Sequence, residues 1–320
     1  LFVGTERVQQ RDFAHKIEIT ARDQLGELAA SFNTMTASIE DLLRDVAEKK
    51  RLEEELRIAH EIQMSLLPSG PLSLPGMSIT ALCVPAREVG GDYYDVLPLD
   101  DHRVGVLIAD VSGKGTYAAL YMAELKGLVL SLSRIYSSPR ALLITANQLI
   151  SEHLDARSFI TMTYAVVDLR ARTITYARAG HTPLIYLPGP GIPHRRLQIL
   201  APDGLVLGLK IDNGEMFERL LQEETIAINP GDLYLFFTDG ISEAMNEAHD
   251  CFGETRLAQL VEEHAHLPSD QLRERVLREI AAFVGTAAQH DDMTMILLRI
   301  EEVAALAGIG GAVEAAKQTV

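Results

Sequence analysis

The chain has 320 residues, 47% of them hydrophobic and 23% charged, and a formal net charge of −16. That is enough chain for one sizeable globular domain plus smaller pieces, at an ordinary folded composition. The acidity excludes a nucleic-acid partner, whose phosphates need clustered Lys and Arg, and leaves divalent cations open. The two cysteines, Cys83 and Cys251, sit in neither CxxC nor Cys–His spacing. Zinc ribbons and thiol-redox motifs are therefore excluded, and a reducing, cytoplasmic setting fits.

Leu1 stands where a start methionine would, which predicts a piece of a longer protein. Residues 1–20 hold no apolar signal core, and no apolar run of about 18 residues occurs. Residues 21–67 read as almost continuous helix that Asp23 can cap, with no Gly or Pro between Gly26 and Pro68. Leu25, Leu28, Phe32, Met35, Ile39, Leu42 and Val46 step by three or four, the seam of a coiled coil. Around Lys49 and Lys50 that register fails, and it resumes one position out at Leu52, Leu56, Ala59 and Leu66, a shift that changes the supercoil locally. The helix is then either a solvated spacer or a dimeric signalling helix. The second reading predicts a parallel homodimer through residues 38–67.

Pro68, Pro71, Pro75 and Gly76 mark a boundary. Beyond it, strands are predicted at 78–84, 93–99, 104–110, 160–169, 172–178, 183–187, 223–228, 232–238 and 293–300, and helices at 115–136, 139–155, 254–265 and 269–284. Arg170-Ala171 is short enough for a hairpin, and Asn229-Pro230-Gly231 predicts a second one. Antiparallel sheet with helix pairs between strand groups implies a layered α/β domain. The tail 302–320, rich in Ala and Gly, is predicted as loose helix or disorder.

The informative feature is where the aspartates fall. The apolar strand from Val104 ends on Asp110, the strand from Leu233 runs into Asp239, and Asp291-Asp292 directly precede the strand Met293–Ile300. A fourth cluster, Gly90-Gly91-Asp92, opens a strand, while Asp95, Asp100 and Asp101 read as surface residues. Like charges at the ends of desolvated strands repel unless something neutralises them. Hard divalent cations do so through carboxylate oxygens, and a binuclear centre of Mg²⁺ or Mn²⁺ activates water and clamps a phosphoryl group. Each piece alone has a plainer reading, since Asp-Gly is a common turn dipeptide.

Residues 70–300 resemble the PPM-type (protein phosphatase 2C-like) serine/threonine phosphatases, in particular the bacterial SpoIIE-like branch that controls sigma-factor partner switching. The matching segments are Gly90–Asp95 (GGDYYD), Ala109–Gly115 (ADVSGKG), Gly180–Pro183 (GHTP), Phe237–Ala244 (FTDGISEA) and Asp291–Arg299 (DDMTMILLR), in the family's order. His60–Pro68 (HEIQMSLLP) is similar to the helix that precedes this domain. The resemblance implies an α-β-β-α sandwich: two antiparallel sheets face to face, helices outside, behind a long coiled-coil helix. It implies that Asp110 bridges two metal ions, that the Val111 carbonyl completes one coordination sphere, and that Asp239 and Asp291 are direct ligands. The resemblance also implies that Asp92 is a further acidic residue acting through water and that Asp292 is a neighbour that could exchange places with Asp291. The implied chemistry is direct attack of metal-activated water on phosphorus without a phosphoenzyme. The implied substrate is a phosphorylated STAS-type anti-sigma factor antagonist. The family's phosphate-binding Arg has no clear counterpart, Arg87 being near the site only in sequence.

Arg22–Met35 (RDQLGELAASFNTM) resembles the second half of a HAMP linker, with Gln24 where an acidic residue is common. The implied organisation is a partial HAMP linker at 1–45, a regulatory coiled-coil helix at 38–68, a phosphatase domain at 69–301 and the tail. The whole would be the cytoplasmic part of a membrane protein whose membrane segment lies upstream. Competing readings are a non-catalytic pseudophosphatase, which would have lost a metal carboxylate, and a two-metal phosphodiesterase, which the acidity opposes. A P-loop fails on Gly115 after Lys114 and on Ile108 where glycine is required. Lys114 reads as a solvent-side residue or a substrate contact, and His181 as a hydrogen-bonding residue in a turn.

Overall fold

The computed structural model describes residues 2–18, 23–68, 72–74, 76–193 and 195–301; the prediction for the tail lies outside them. The chain falls into two compact units, one ending at His60 and one beginning at Glu61. Among the described residues no helix is long and apolar enough to cross a membrane.

The first unit holds α1 (Phe2–Gln9) and most of α2 (Gln24–Leu66). Asp23 caps α2 as predicted: its Oδ1 accepts from Leu25 N and Gly26 N at 3.0 and 3.2 Å, satisfying donors that a helix start leaves open. Asn33 pins the connecting segment, accepting from Ile17 N and donating to Ile17 O at 2.8 Å each. The seam residues Leu25, Leu28, Met35, Leu42 and Val46 are exposed in the single chain.

The second unit runs β1 (Leu72–Leu74), β2 (Met77–Val84), β3 (Tyr93–Pro98), β4 (Arg103–Val111), α3 (Thr116–Leu132), α4 (Pro139–His153), β5 (Ile160–Asp168), β6 (Thr173–Ala179) and β7 (Leu184–Leu187). It continues with β8 (Gln198–Leu200), α5 (Glu215–Leu220), β9 (Glu223–Ala227), β10 (Leu233–Phe237), α6 (Asp239–Ser242), α7 (Glu254–His264), α8 (Ser269–Val284) and β11 (Met293–Ile300). One antiparallel sheet has the order β1-β2-β11-β10-β7-β8, the other β3-β4-β5-β6-β9.

Strand alternation builds the layers. Tyr234 and Phe236 of β10 share the central core with Ile108, Tyr164 and Tyr176 of the opposite sheet. Leu233, Leu235 and Phe237 point the other way, onto Leu257 and Val261 of α7 and Leu272, Val276 and Ile280 of α8. Helices α3 and α4 cover the second sheet through Met122, Leu125, Leu142 and Ala146. Each such fully buried aliphatic side chain contributes roughly 1.5–3 kcal/mol.

The short elements β1, β8, α1, α5 and α6 had no signal strong enough to predict. The β5–β6 hairpin forms, but the second predicted hairpin does not. β9 pairs with β6 in one sheet, whereas β10 pairs with β7 and β11 in the other. The Asn229–Gly231 turn carries the chain between layers. Burial explains why: β9 (EETIA) is mostly exposed and suits a sheet edge, while β10 (LYLFF) is buried throughout and suits a centre.

Candidate active site

The predicted carboxylates come from both sheets and gather at one end of the sandwich. Asp110 lies near the end of β4, opposite Thr161 of β5, and Asp92 immediately precedes β3. From the other sheet, β10 runs through Thr238 into Asp239, and Asp291-Asp292 lead into β11. The Thr238 hydroxyl donates to Asp92 Oδ2 at 2.8 Å and so ties the two sheets together at this point.

The paired aspartates before β11 have different surroundings. Asp292 is buried, with Oδ1 accepting from Ala86 N at 2.7 Å and Oδ2 from Gly91 N at 2.8 Å. Asp291 is half-exposed and has Lys114 Nζ 2.9 Å from its carboxylate; Lys114 also donates to His290 O. The glycine pair follows from this crowding. A Cβ on Gly90 would lie 2.1 Å from Asp292 Oδ2, and one on Gly91 2.5 Å from Val111 O.

Charge accumulates here. Burial pushes the Asp92 carboxyl well above the usual range, with the Asp110 charge adding to it. Asp110 is pushed up to about 7 by burial, then by Asp239, Asp291 and Asp292, against the pull of Lys114. Asp239 is raised by burial, Glu243 and Asp291. Either a proton or a cation relieves this repulsion, and an all-oxygen donor set suits Mg²⁺ or Mn²⁺. Among the described residues no three His, Cys, Asp or Glu side chains already form a cage around one ion position. The donor chemistry fits a divalent cation, and Asp92, Asp110, Asp239, Asp291 and the Val111 carbonyl are the groups that could hold one. Beside Lys114 and Asp291 opens a cavity of about 540 Å³, lined also by Glu243, Leu277, Ala281 and Val284.

Three other predicted residues are not members of the carboxylate cluster. Arg87 is exposed. His181 is buried with Nδ1 2.8 Å from the hydroxyl of Thr161, the residue paired with Asp110, and burial, then Arg178, drives its pKa down to about 3. Asp95, expected at the surface, is buried: Lys126 Nζ lies 2.8 Å from Oδ2, to which the Tyr93 hydroxyl donates at 2.8 Å. Its partner Lys126 is remote in sequence, so no local pattern revealed it. Thr238 was missed because a lone threonine after a strand carries no signal until Asp92 is beside it.

Residues 100–301 match the family model described as Stage II sporulation protein E (SpoIIE), and residues 4–41 match the HAMP domain. The chain belongs to the SpoIIE family. It is 31% identical over 252 residues to phosphoserine phosphatase RsbU of Bacillus subtilis, covering 78% of this chain and 71% of RsbU. To protein IcfG of Synechocystis it is 26% identical over 327 residues, 92% of this chain and 49% of IcfG. It thus spans about half the length of that relative. The solved SiaA-PP2C domain of Pseudomonas aeruginosa has the same fold, with a TM-score of 0.67 at 22% identity over 80% of this chain and 99% of that domain. The two-sheet frame of this SpoIIE-family chain is therefore the PP2C fold, as the resemblance implied.

Proposed function

We propose that this chain is a metal-dependent protein serine/threonine phosphatase that hydrolyses a phosphomonoester by direct attack of water. The observation that carries the reading is the meeting of aspartates from both sheets at one end of the sandwich, Asp92 and Asp110 from one and Asp239 and Asp291 from the other, tied by the Thr238–Asp92 hydrogen bond. Two ions, Mn²⁺ or Mg²⁺, held there would lower the pKa of an attacking water and offset charge on the phosphoryl oxygens. Asp110, Asp239 and Asp291 would hold them directly, and Asp92, fixed by the Thr238 hydroxyl, and the Val111 carbonyl would complete the set. Asp292, engaged by two backbone N–H groups, clamps the loop. Lys114 presents its ammonium where the cavity meets the carboxylates and can pair with the phosphoryl group. The apolar part of the cavity takes residues flanking the phosphorylated one.

The name of RsbU supports phosphoserine as the substrate group, and the family resemblance supports a STAS-type anti-sigma antagonist as its carrier. The HAMP match supports a cytoplasmic place in a membrane signalling protein, and the exposed α2 seam supports a parallel homodimer through residues 38–67. Hydrolysis of p-nitrophenyl phosphate and of a phosphoserine peptide, with Mn²⁺ and with EDTA, tests the reading. Both are expected to be cleaved and both to stop with chelator. Chelator-insensitive turnover, or preference for bis-p-nitrophenyl phosphate, would overturn it.

A further inference from the structure

The last turns of α2 belong to the second unit, and there Gln63 is buried, only 6% exposed. Its carboxamide bonds both backbone groups of one distant residue: Nε2 donates to Gly90 O at 2.7 Å, and Oε1 accepts from Gly90 N at 3.0 Å. A primary amide is the uncharged side chain that offers a donor and an acceptor in one plane, as a neighbouring strand would. It therefore fixes the peptide planes on both sides of Gly90. Asp292 holds the same loop from elsewhere, through Gly91 N and Ala86 N. A glycine pair has the most backbone freedom to lose, so its conformation depends on such outside contacts. The next residue is Asp92, and Gly91 packs against the Val111 carbonyl.

We propose that Gln63 is a positioning residue for divalent-cation binding: by holding Gly90 it sets how Asp92 and the Val111 carbonyl face the carboxylate cluster. This rests on the metal-dependent phosphatase reading and deepens it. An apolar side chain in its place would leave two buried polar groups of Gly90 unpaired and let the loop shift.

The test uses the full chain with Gln63→Met, which keeps the bulk and removes both bonds, and Gln63→Glu, which keeps the acceptor alone. Asn147→Leu serves as a control, since Asn147 Oδ1 accepts from Gly208 N at 2.9 Å in a buried setting remote from the cluster in sequence. Mn²⁺ affinity is read by calorimetry below the melting range, and amide hydrogen exchange at Gly90 and Gly91 is followed without metal. Losing a group that orients a metal site typically costs about 10–100-fold in affinity. Gln63→Met is therefore expected to weaken Mn²⁺ binding at least about tenfold, Gln63→Glu, whose second oxygen faces the Gly90 carbonyl, to weaken it as well, and Asn147→Leu to leave it unchanged. Exchange at Gly90 and Gly91 should speed up in the Gln63 variants alone. Unchanged Mn²⁺ affinity in folded Gln63→Met, or an equal loss in Asn147→Leu, would overturn the proposal. If Gln63→Met does not fold, Gln63→Glu decides by the same comparison. Wild-type chain that binds no Mn²⁺ would instead bring down the phosphatase reading on which the proposal stands.

Discussion

The two ends of β10 each carry an aspartate, and the two have opposite surroundings. Asp232, just before the strand, is fully buried and satisfied: it accepts from Gly189 N at 2.6 Å, Asn229 N at 2.8 Å and the Tyr186 hydroxyl at 3.2 Å. Asp239, just after it, is faced by Glu243 and Asp291, carboxylates like itself. The first locks the turn between layers; the second, against which the chain sets the Gly240 N–H and the Lys114 charge, keeps a raised pKa. Burial alone does not mark a functional carboxylate; unsatisfied charge does. Asp95, with Lys126 and the Tyr93 hydroxyl, falls on the Asp232 side of this division.

The largest expected effect breaks the functional end. Asp110→Ala or Asp239→Ala should lower Mn²⁺-dependent turnover of p-nitrophenyl phosphate by about a thousandfold or more, since several kcal/mol of charge stabilisation is removed. The metal-free variants should melt at the wild-type temperature or slightly above, because a repelling charge has gone. A clear drop in that temperature would mean these aspartates are structural, like Asp232.

Next in size is the buried pair. Lys126→Met strands the Asp95 charge and should cost about 3–5 kcal/mol in urea unfolding, with turnover per folded molecule retained. Asp232→Ala leaves the Gly189 and Asn229 N–H groups without their acceptor and should cost about 2–3 kcal/mol. Activity lost without stability in either variant would erase the distinction between satisfied and unsatisfied carboxylates.

The smallest effect concerns a group buried without charge. The unfolded chain protonates His181 below about pH 6.5, whereas the folded chain resists until about pH 3. Its contribution is therefore full above pH 6.5 and is lost as pH falls, by about 1.4 kcal/mol per unit. Raised carboxyls such as Asp110 act in the opposite direction, so the comparison is with His181→Gln. That variant should lose less stability between pH 6.5 and 5 than wild type does, and parallel curves would show that His181 is not held neutral.

Much of the frame was legible beforehand. The strand at Met293–Ile300 and the helix at Ser269–Val284 formed at the predicted bounds, because the first is a nearly unbroken apolar run and the second has a strong helical period. The failed hairpin shows the limit: a Pro-Gly turn states that the chain reverses, not that the flanking strands pair. The fate of β9 and β10 depended on which layer could bury LYLFF on both faces. Similarly, Gln63 lay in a helical stretch whose register was read, but its role exists only beside Gly90.

By itself the sequence determined the longer elements and the candidates, since apolar runs, helical periods and an aspartate at the end of a greasy strand are patterns within a few neighbouring residues. Only the tertiary structure decided which aspartates are satisfied. The donors that answer the question come from far along the chain, Gly189 43 residues from Asp232 and Ala86 206 residues from Asp292. Whether a buried carboxylate is locked or left open is a matter of hydrogen-bond geometry, and that geometry comes into being when the two sheets close on each other.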